Sequence, residues 1–174
     1  MHVLRPVATV VVAVSVLGMT ACGIRIPTDP EGTLERITGG ELRVGVSPSD
    51  GLVDVTGAAP GDGGTAATSA VSGPLAGLVE EFADGRDATV VWTIGSEEDL
   101  VDDLETGQLD LAIGGMTDQT PWTDRVAVTR AFDRLPGAEG RSAAMLLPMG
   151  ENAFQSALES FLDGQAARDG QAPR

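Results

Sequence analysis

The chain has 174 residues, 42% of them hydrophobic, with 26 acidic against 11 basic side chains and a net charge of −15. That length and composition suit one domain with a core it can fill, and they exclude wholesale disorder. The charge excludes nucleic-acid binding by phosphate neutralisation and electrostatic attraction to an anionic lipid surface.

All 11 basic residues are arginines, and His2 and Cys22 are the single histidine and cysteine. An intrachain disulfide and a His/Cys metal site are therefore impossible. His2 and Arg5 open the chain, and 7–19 is almost unbroken apolar sequence. Such a run is too short to span a bilayer and fits the core of a secretory signal. Thr20 and Ala21 then precede the lone cysteine, a pattern that resembles a bacterial lipobox, with Met19 where Leu is usual. The resemblance implies a signal peptide over 1–21, a lipid (palmitate-type) anchor on Cys22 and an extracytoplasmic location on the cell membrane. The alternative is an ordinary cleaved signal with Cys22 left as a thiol. On either reading the mature chain has no histidine, which removes His acid–base catalysis.

Residues 22–32 hold prolines and no apolar period, and read as a tether. Thr33 is the expected N-cap of a helical turn over 33–37, closed by Gly39-Gly40. Residues 41–47 alternate, with Leu42, Val44 and Val46 on one face of a strand. The segment 50–72 is rich in Gly, Ala, Ser and Thr and reads as a flexible surface loop. Gly64 does not make a phosphate loop, because no Gly-Lys follows. A helix is expected over 74–84, with Pro74 in its first turn and Leu75, Leu78, Val79 and Phe82 on one face. A second strand covers 88–94. Ser96 and Asp99 form a capping box for a helix reaching Glu105. A third, mostly apolar strand covers 109–113 and stops at Gly114-Gly115. These short strand–helix–strand spacings imply parallel crossovers. Further strands are expected over 126–129 and 143–147, a helix over 151–162, and a disordered tail over 164–174. The fold class is α/β: a three-layer domain over 33–163, around a mainly parallel sheet of about five strands.

Four segments, TLERITGGELRVGVS (33–47), GPLAGLVEEFA (73–83), GSEEDLVDDLETGQLDLAIGGMTDQTPW (95–122) and RVAVTRAF (125–132), resemble the extracellular solute-binding proteins of ABC importers, in the polar amino-acid-binding family. MLLPMGENAFQSALESFL (145–162) resembles that family's final strand and helix more weakly. The resemblance implies two α/β lobes with a ligand cleft between them, at the carboxyl ends of the strands. The candidate ligand-binding set is then Ser47, Gly114, Gly115, Met116, Thr117, Trp122 and Arg125. Two departures stand out. The family's Thr-Pro-x-Arg run, whose Arg clamps the ligand carboxylate, reads Thr120-Pro121-Trp122-Thr123 here; either Arg125 takes that role or the clamp is absent. Only twelve residues, 133–144, occupy the position of the second lobe, which leaves a single lobe.

Each candidate also has a plain structural reading. Trp122 stacks on a ligand or packs at the domain edge. Arg125 binds an anion or pairs with Asp124 or Glu151. Ser47 touches ligand or simply ends its strand. The carboxylates over 97–105 form a solvated face rather than a calcium site. Asp110 lacks a base or nucleophile partner and reads as structural. The expected function is therefore a membrane-anchored lipoprotein that binds a small polar solute, such as an amino acid, for an ABC permease or another membrane partner. It is not an enzyme, carries no cofactor and binds no nucleic acid. The alternative is a degenerate lobe acting as a structural or protein-interaction lipoprotein of the envelope.

Overall fold

The computed structural model describes residues 28–57 and 70–169. The expected signal segment, Cys22 and most of the expected tether lie outside the described residues, as do the centre of 50–72 and the last five positions. In chain order the elements are α1 (Thr33–Ile37), β1 (Glu41–Val46), β2 (Asp54–Thr56), β3 (Ala70–Ser72), α2 (Pro74–Asp84), β4 (Thr89–Ile94), α3 (Glu97–Glu105), β5 (Leu111–Ile113), β6 (Ala127–Val128), β7 (Leu146–Leu147) and α4 (Asn152–Asp169). No helix among the described residues is long and apolar enough to cross a membrane.

The main sheet has five strands in the order β4-β1-β5-β7-β6. The first three run parallel, with Val44 opposite both Trp92 and Leu111. β7 enters antiparallel between β5 and β6. The alternation along β1 sorts the layers: Leu42, Val44 and Val46 face α2 and α4, together with Leu111, Ile113, Met145 and Leu147. Ala112 and Leu146 face the other way, onto Leu100, Val101 and Leu104 of α3. Gly45 shares that second face, and a Cβ there would lie 2.6 Å from Leu109 and 2.7 Å from Leu100. Phe82 meets Phe154 and Phe161 edge-on at 6.0 and 5.5 Å, locking α2 to α4. Phe82 and Phe154, both fully buried, each contribute about 2 kcal/mol relative to exposure.

Several local expectations change. Thr33 is not an N-cap: it is the first helical residue and is buried, while Gly32 holds the cap position without a side-chain bond. Two carboxylates outside the helix, Glu151 distant in sequence and Asp29 just upstream, do the capping instead. Glu151 accepts from the Glu31 and Thr33 amides, each at 3.0 Å. Asp29 accepts from Leu34 of α1 through one oxygen, and from Ala153 and Phe154 of α4 through the other. From Asp29 onward the supposed tether is thus part of the body, and Glu151 precedes α4 rather than opening it. The segment 50–72 carries strand at both its described ends, where β2 and β3 pair antiparallel. α4 continues past Leu162 to Asp169, because Gln165 is still on its buried face. The lone Gly164 within it costs the helix only about 1 kcal/mol.

Candidate functional site

In an open α/β sheet, ligands settle outside the carboxyl ends of the strands, where successive connections leave in opposite directions. Here that point lies between β1 and β5, because the chain passes from β1 to β4 on one side and from β4 to β5 on the other. The residues leaving the two strands are Ser47 and Gly114.

The Ser47 amide closes the ladder by donating to the Ile113 carbonyl at 3.0 Å. Gly114 is buried against it: a Cβ at Gly114 would stand 2.6 Å from the Ser47 carbonyl oxygen. Gly115 is exposed, and its missing side chain leaves room beside Ser49, whose Oγ is 3.0 Å from where a Cβ would be. Ser49 itself anchors a tight turn, accepting from the Leu52 and Val53 amides and donating its own to Val53. Among the described residues the Gly115, Met116 and Thr117 amides have no acceptor, and the half-exposed Thr117 hydroxyl accepts only from the Gln119 amide. Three successive amides beside two serines and a threonine form a small polar crevice that can accept an anionic or carbonyl-bearing group.

Four of the seven sequence candidates, Ser47, Gly114, Gly115 and Thr117, come together at this crevice. The other three are otherwise engaged. Met116 turns inward and is buried in the cluster with Leu100, Leu104 and Val126; only its carbonyl is used, accepting from Ala144 at 2.9 Å. Trp122 packs on the same cluster, and its indole N–H and the Thr120 hydroxyl are buried without a partner among the described residues. Its half-buried ring packs on that core and carries the Arg125 guanidinium, 5.7 Å from the ring centre.

Arg125 pairs with Asp102 at 2.6 Å and with Glu105, both in the second half of α3. The hydrogen bonds it donates to Glu105 and Asp102 raise its pKa well above the usual range. Because α3 begins next to the carboxyl ends of the strands and runs away from them, its second half lies toward the opposite edge. Arg125 is therefore held away from the crevice by partners other than Asp124 or Glu151. Thr123 cannot replace a guanidinium, since it has neither charge nor fork geometry.

Sequence reasoning missed two crevice neighbours, Ser49 and Arg141. The connection 133–142 has its ends pinched by an antiparallel bridge between Phe132 and Ala143. Arg141 donates from it to the Asp50 carbonyl, and its guanidinium lies over Gly51, where a side chain would collide. Gly51 has a φ of +68°, a left-handed turn conformation that glycine adopts without strain.

At the opposite edge, Asp110 is nearly completely buried. It accepts from the Arg43 amide at 2.9 Å, from Arg43 Nε and Nη2 at 3.1 and 2.6 Å, and from Arg36 Nη2 at 2.6 Å. Burial alone would push this carboxyl up, but the bonds from Arg43 and Arg36 outweigh it and hold the group below the usual carboxylate range. The structural reading of Asp110 stands.

The chain matches no protein-family model and no curated protein. Among solved structures, it is similar to domain 1 of TmArgBP in its arginine-bound form, at 20% identity with a TM-score of 0.54, covering 75% of this chain and 97% of that one. The Phe57Trp mutant of that domain gives 19% identity and a TM-score of 0.55 over 76% and 96%. The AvGluR1 ligand-binding domain, complexed with alanine, aligns at 24% identity over 55% of this chain and 38% of that one, with a TM-score of 0.43, a level from which no fold correspondence follows. The protein has the fold of a single lobe of periplasmic-binding-protein-like domains, as the near-complete coverage of TmArgBP domain 1 shows.

Proposed function

We propose that this protein binds a small polar solute, an amino acid or a close analogue, at the crevice between β1 and β5, and does so without chemistry. The observation that carries the reading is the convergence of Ser47, Ser49, Gly115 and Thr117 with three amides that have no acceptor among the described residues, at the switch in strand order. TmArgBP domain 1, which shares this fold, was solved with arginine bound, which supports an amino-acid ligand. The finer reading adds a lipid anchor at Cys22, an extracytoplasmic location on the cell membrane, and delivery to an ABC permease or other membrane partner. It rests on the lipobox-like sequence around Cys22. The crevice and its arginines contain no nucleophile paired with a base, which supports binding over catalysis.

A second reading has specific support. With Arg125 committed to α3 and only the short connection 133–142 where a second lobe would stand, the lobe suits an interaction role in the envelope, docking a protein through its strand-end loops.

Thermal unfolding against a panel of amino acids, amines and small sugars tests the first reading. A ligand present at 100 times its dissociation constant stabilises the native state by about 2.7 kcal/mol, a shift of several degrees. A saturable shift confined to one chemical class is the expected result. A cooperative transition that millimolar solutes leave in place overturns solute binding and favours the interaction role.

A further inference from the structure

The two edges of the main sheet are built differently. β6, at one edge, is two residues long and runs at once into Thr129 and Arg130. β4, at the other, has six residues, TVVWTI, with no charge, proline or glycine. It pairs with β1 in unbroken register over its whole length, without a bulge. Proteins commonly blunt an exposed edge with such devices, because its free backbone groups recruit another strand. β4 carries none of them.

The Thr89 amide donates to the Gly40 carbonyl at 2.9 Å, and the Gly95 amide to the Val46 carbonyl at 3.1 Å, so the odd-numbered positions of β4 face β1. The period of two then turns the N–H and C=O of Val90, Trp92 and Ile94 to the outer edge. No described element pairs with them there. The Val90 and Trp92 side chains pack on the core under α2 and α4 yet stay half exposed, and Val91 and Thr93 are half exposed on the opposite face. An added strand would thus find side-chain surface on both faces of the edge.

Charge selects the occupant. Glu41, paired with Thr89, stands at the start of β4 with Asp84 and Asp87, and Glu97, Glu98 and Asp99 follow its end. None of these carboxylates has an ion-pair partner among the described residues. Arg86, between Asp84 and Asp87, is turned back onto Phe82: its guanidinium lies 3.7 Å from the ring centre and donates to the Phe82 carbonyl at 3.2 Å. A second copy of this chain, added in either direction, would bring carboxylates against carboxylates at both ends of the pairing, and each chain carries a net charge of −15. Like charges so placed repel. Basic ends on the incoming strand turn that repulsion into attraction.

We propose that β4 is a strand-addition site for a partner protein, which contributes an extended segment of β-branched residues with lysine or arginine at both ends. Backbone bonds to Val90, Trp92 and Ile94 give the affinity, and the flanking carboxylates select the basic segment. The site runs along the sheet edge, apart from the crevice at the strand ends, and takes a protein whether or not the crevice takes a solute.

The test titrates the full chain in mild detergent, calorimetrically, with a capped peptide of alternating valine and threonine bearing two lysines at each end, and with its glutamate-ended counterpart. The lysine-ended peptide is expected to bind at low salt and the other at least about tenfold more weakly, a difference that shrinks as salt screens the ends. Val90→Pro removes an N–H that β1 does not use, and should weaken binding at least about tenfold. Val90→Ala shortens the same side chain but keeps the N–H, and should stay within about threefold of wild type. If V90P melts poorly, the wild-type chain is titrated with lysine-ended peptides N-methylated on the valines or on the threonines, of which one set blocks the paired edge and the other does not. Equal affinity of V90P and V90A, or of the two methylated peptides, overturns pairing at β4. Equal binding of the lysine- and glutamate-ended peptides overturns the basic partner, and no binding of the lysine-ended one overturns the site. A dimer in sedimentation velocity that V90P dissociates makes a second copy the occupant and overturns the proposal as well.

Discussion

At the amino ends of β1 and β5, Asp110 is buried and receives five hydrogen bonds from Arg36 and Arg43. At the carboxyl ends of the same two strands, Ser47, Gly114 and Gly115 leave the sheet, successive amides lack acceptors among the described residues, and Arg141 rests on a carbonyl. One edge has spent its polar groups on itself, and the other has kept them available. A group already satisfied inside the fold can stabilise it but has little left for a ligand. An unsatisfied one near solvent is held at small cost and gains on binding. The amino edge should therefore respond to mutation in stability, and the carboxyl edge in binding.

The largest expected stability effect is at the amino edge. Asp110→Asn keeps the shape but removes the charge that orders α1, β1 and the start of β5. It should cost about 2–3 kcal/mol, less than a fully buried pair would, because both arginines can rehydrate. Denaturant titration checks this. The pH dependence follows from the sign of the shift. The folded Asp110 carboxyl lies below its unfolded value, so its stabilisation is present above the ordinary carboxylate range, near pH 4, and is lost as pH falls through the lower folded value. Asp103 runs the other way. Burial, followed by repulsion from Asp99 and Asp102, raises its pKa, so protonation there relieves the fold in mild acid. Acid melts of D110N should therefore lose less stability between pH 4 and 2 than those of the wild type. Parallel curves would remove Asp110 from the account.

On the second face of the sheet, Gly45→Ala pushes a methyl into the side-chain ends of Leu109 and Leu100, which overpacking places at about 1–3 kcal/mol. The same change at exposed Gly115 meets only the Ser49 side chain, its Oγ at 3.0 Å and its Cβ at 3.5 Å. It should leave the melting temperature nearly unchanged while weakening solute binding. Equal destabilisation at both positions would erase the distinction between packed sheet and open rim. Smaller again is Asp29→Ala, which strips amide acceptors from α1 and α4 together and should cost about 1–2 kcal/mol.

What was legible in the sequence was what is local. Leu42, Val44 and Val46 announce their face by alternation, Pro74 starts α2, and Ser96 caps α3 by accepting from the Asp99 amide at 3.2 Å. The Glu151 cap of α1 and the Asp29 cap of α4 were not legible, because carboxylate and amide lie far apart in the chain and meet only when α4 docks on α1. The same holds at the site. Ser47, Gly114, Gly115 and Thr117 were visible as strand ends, where glycine and hydroxyl residues follow apolar runs. Met116 sits among them in sequence, but the turn directs it into the core, and no periodicity extends past a strand end to say so. Arg125 was misjudged because its partners, Asp102 and Glu105, lie on an acidic helix that reads as a solvated face. Arg141 had one signal, an isolated cation in a Gly- and Ala-rich connection, but its destination at Asp50 depends on the Phe132–Ala143 bridge.

The smallest expected effect is the most discriminating between the two edges. Arg125→Ala removes a guanidinium from the surface of α3, where Asp102 and Glu105 are both solvent-exposed, and such exposed pairs contribute little. Removing it also leaves Asp102 and Glu105 to repel each other one turn apart, so α3 should loosen slightly, measurably by hydrogen exchange at its carboxyl end. Solute affinity should stay within twofold of wild type, because the guanidinium is held on the second half of α3, away from the crevice. If R125A instead abolished binding, Arg125 would have to swing off α3 to reach the ligand. The Arg125–Asp102–Glu105 cluster would then be a latch on the resting state rather than a surface pair, and the carboxyl edge would draw its cation from across the domain.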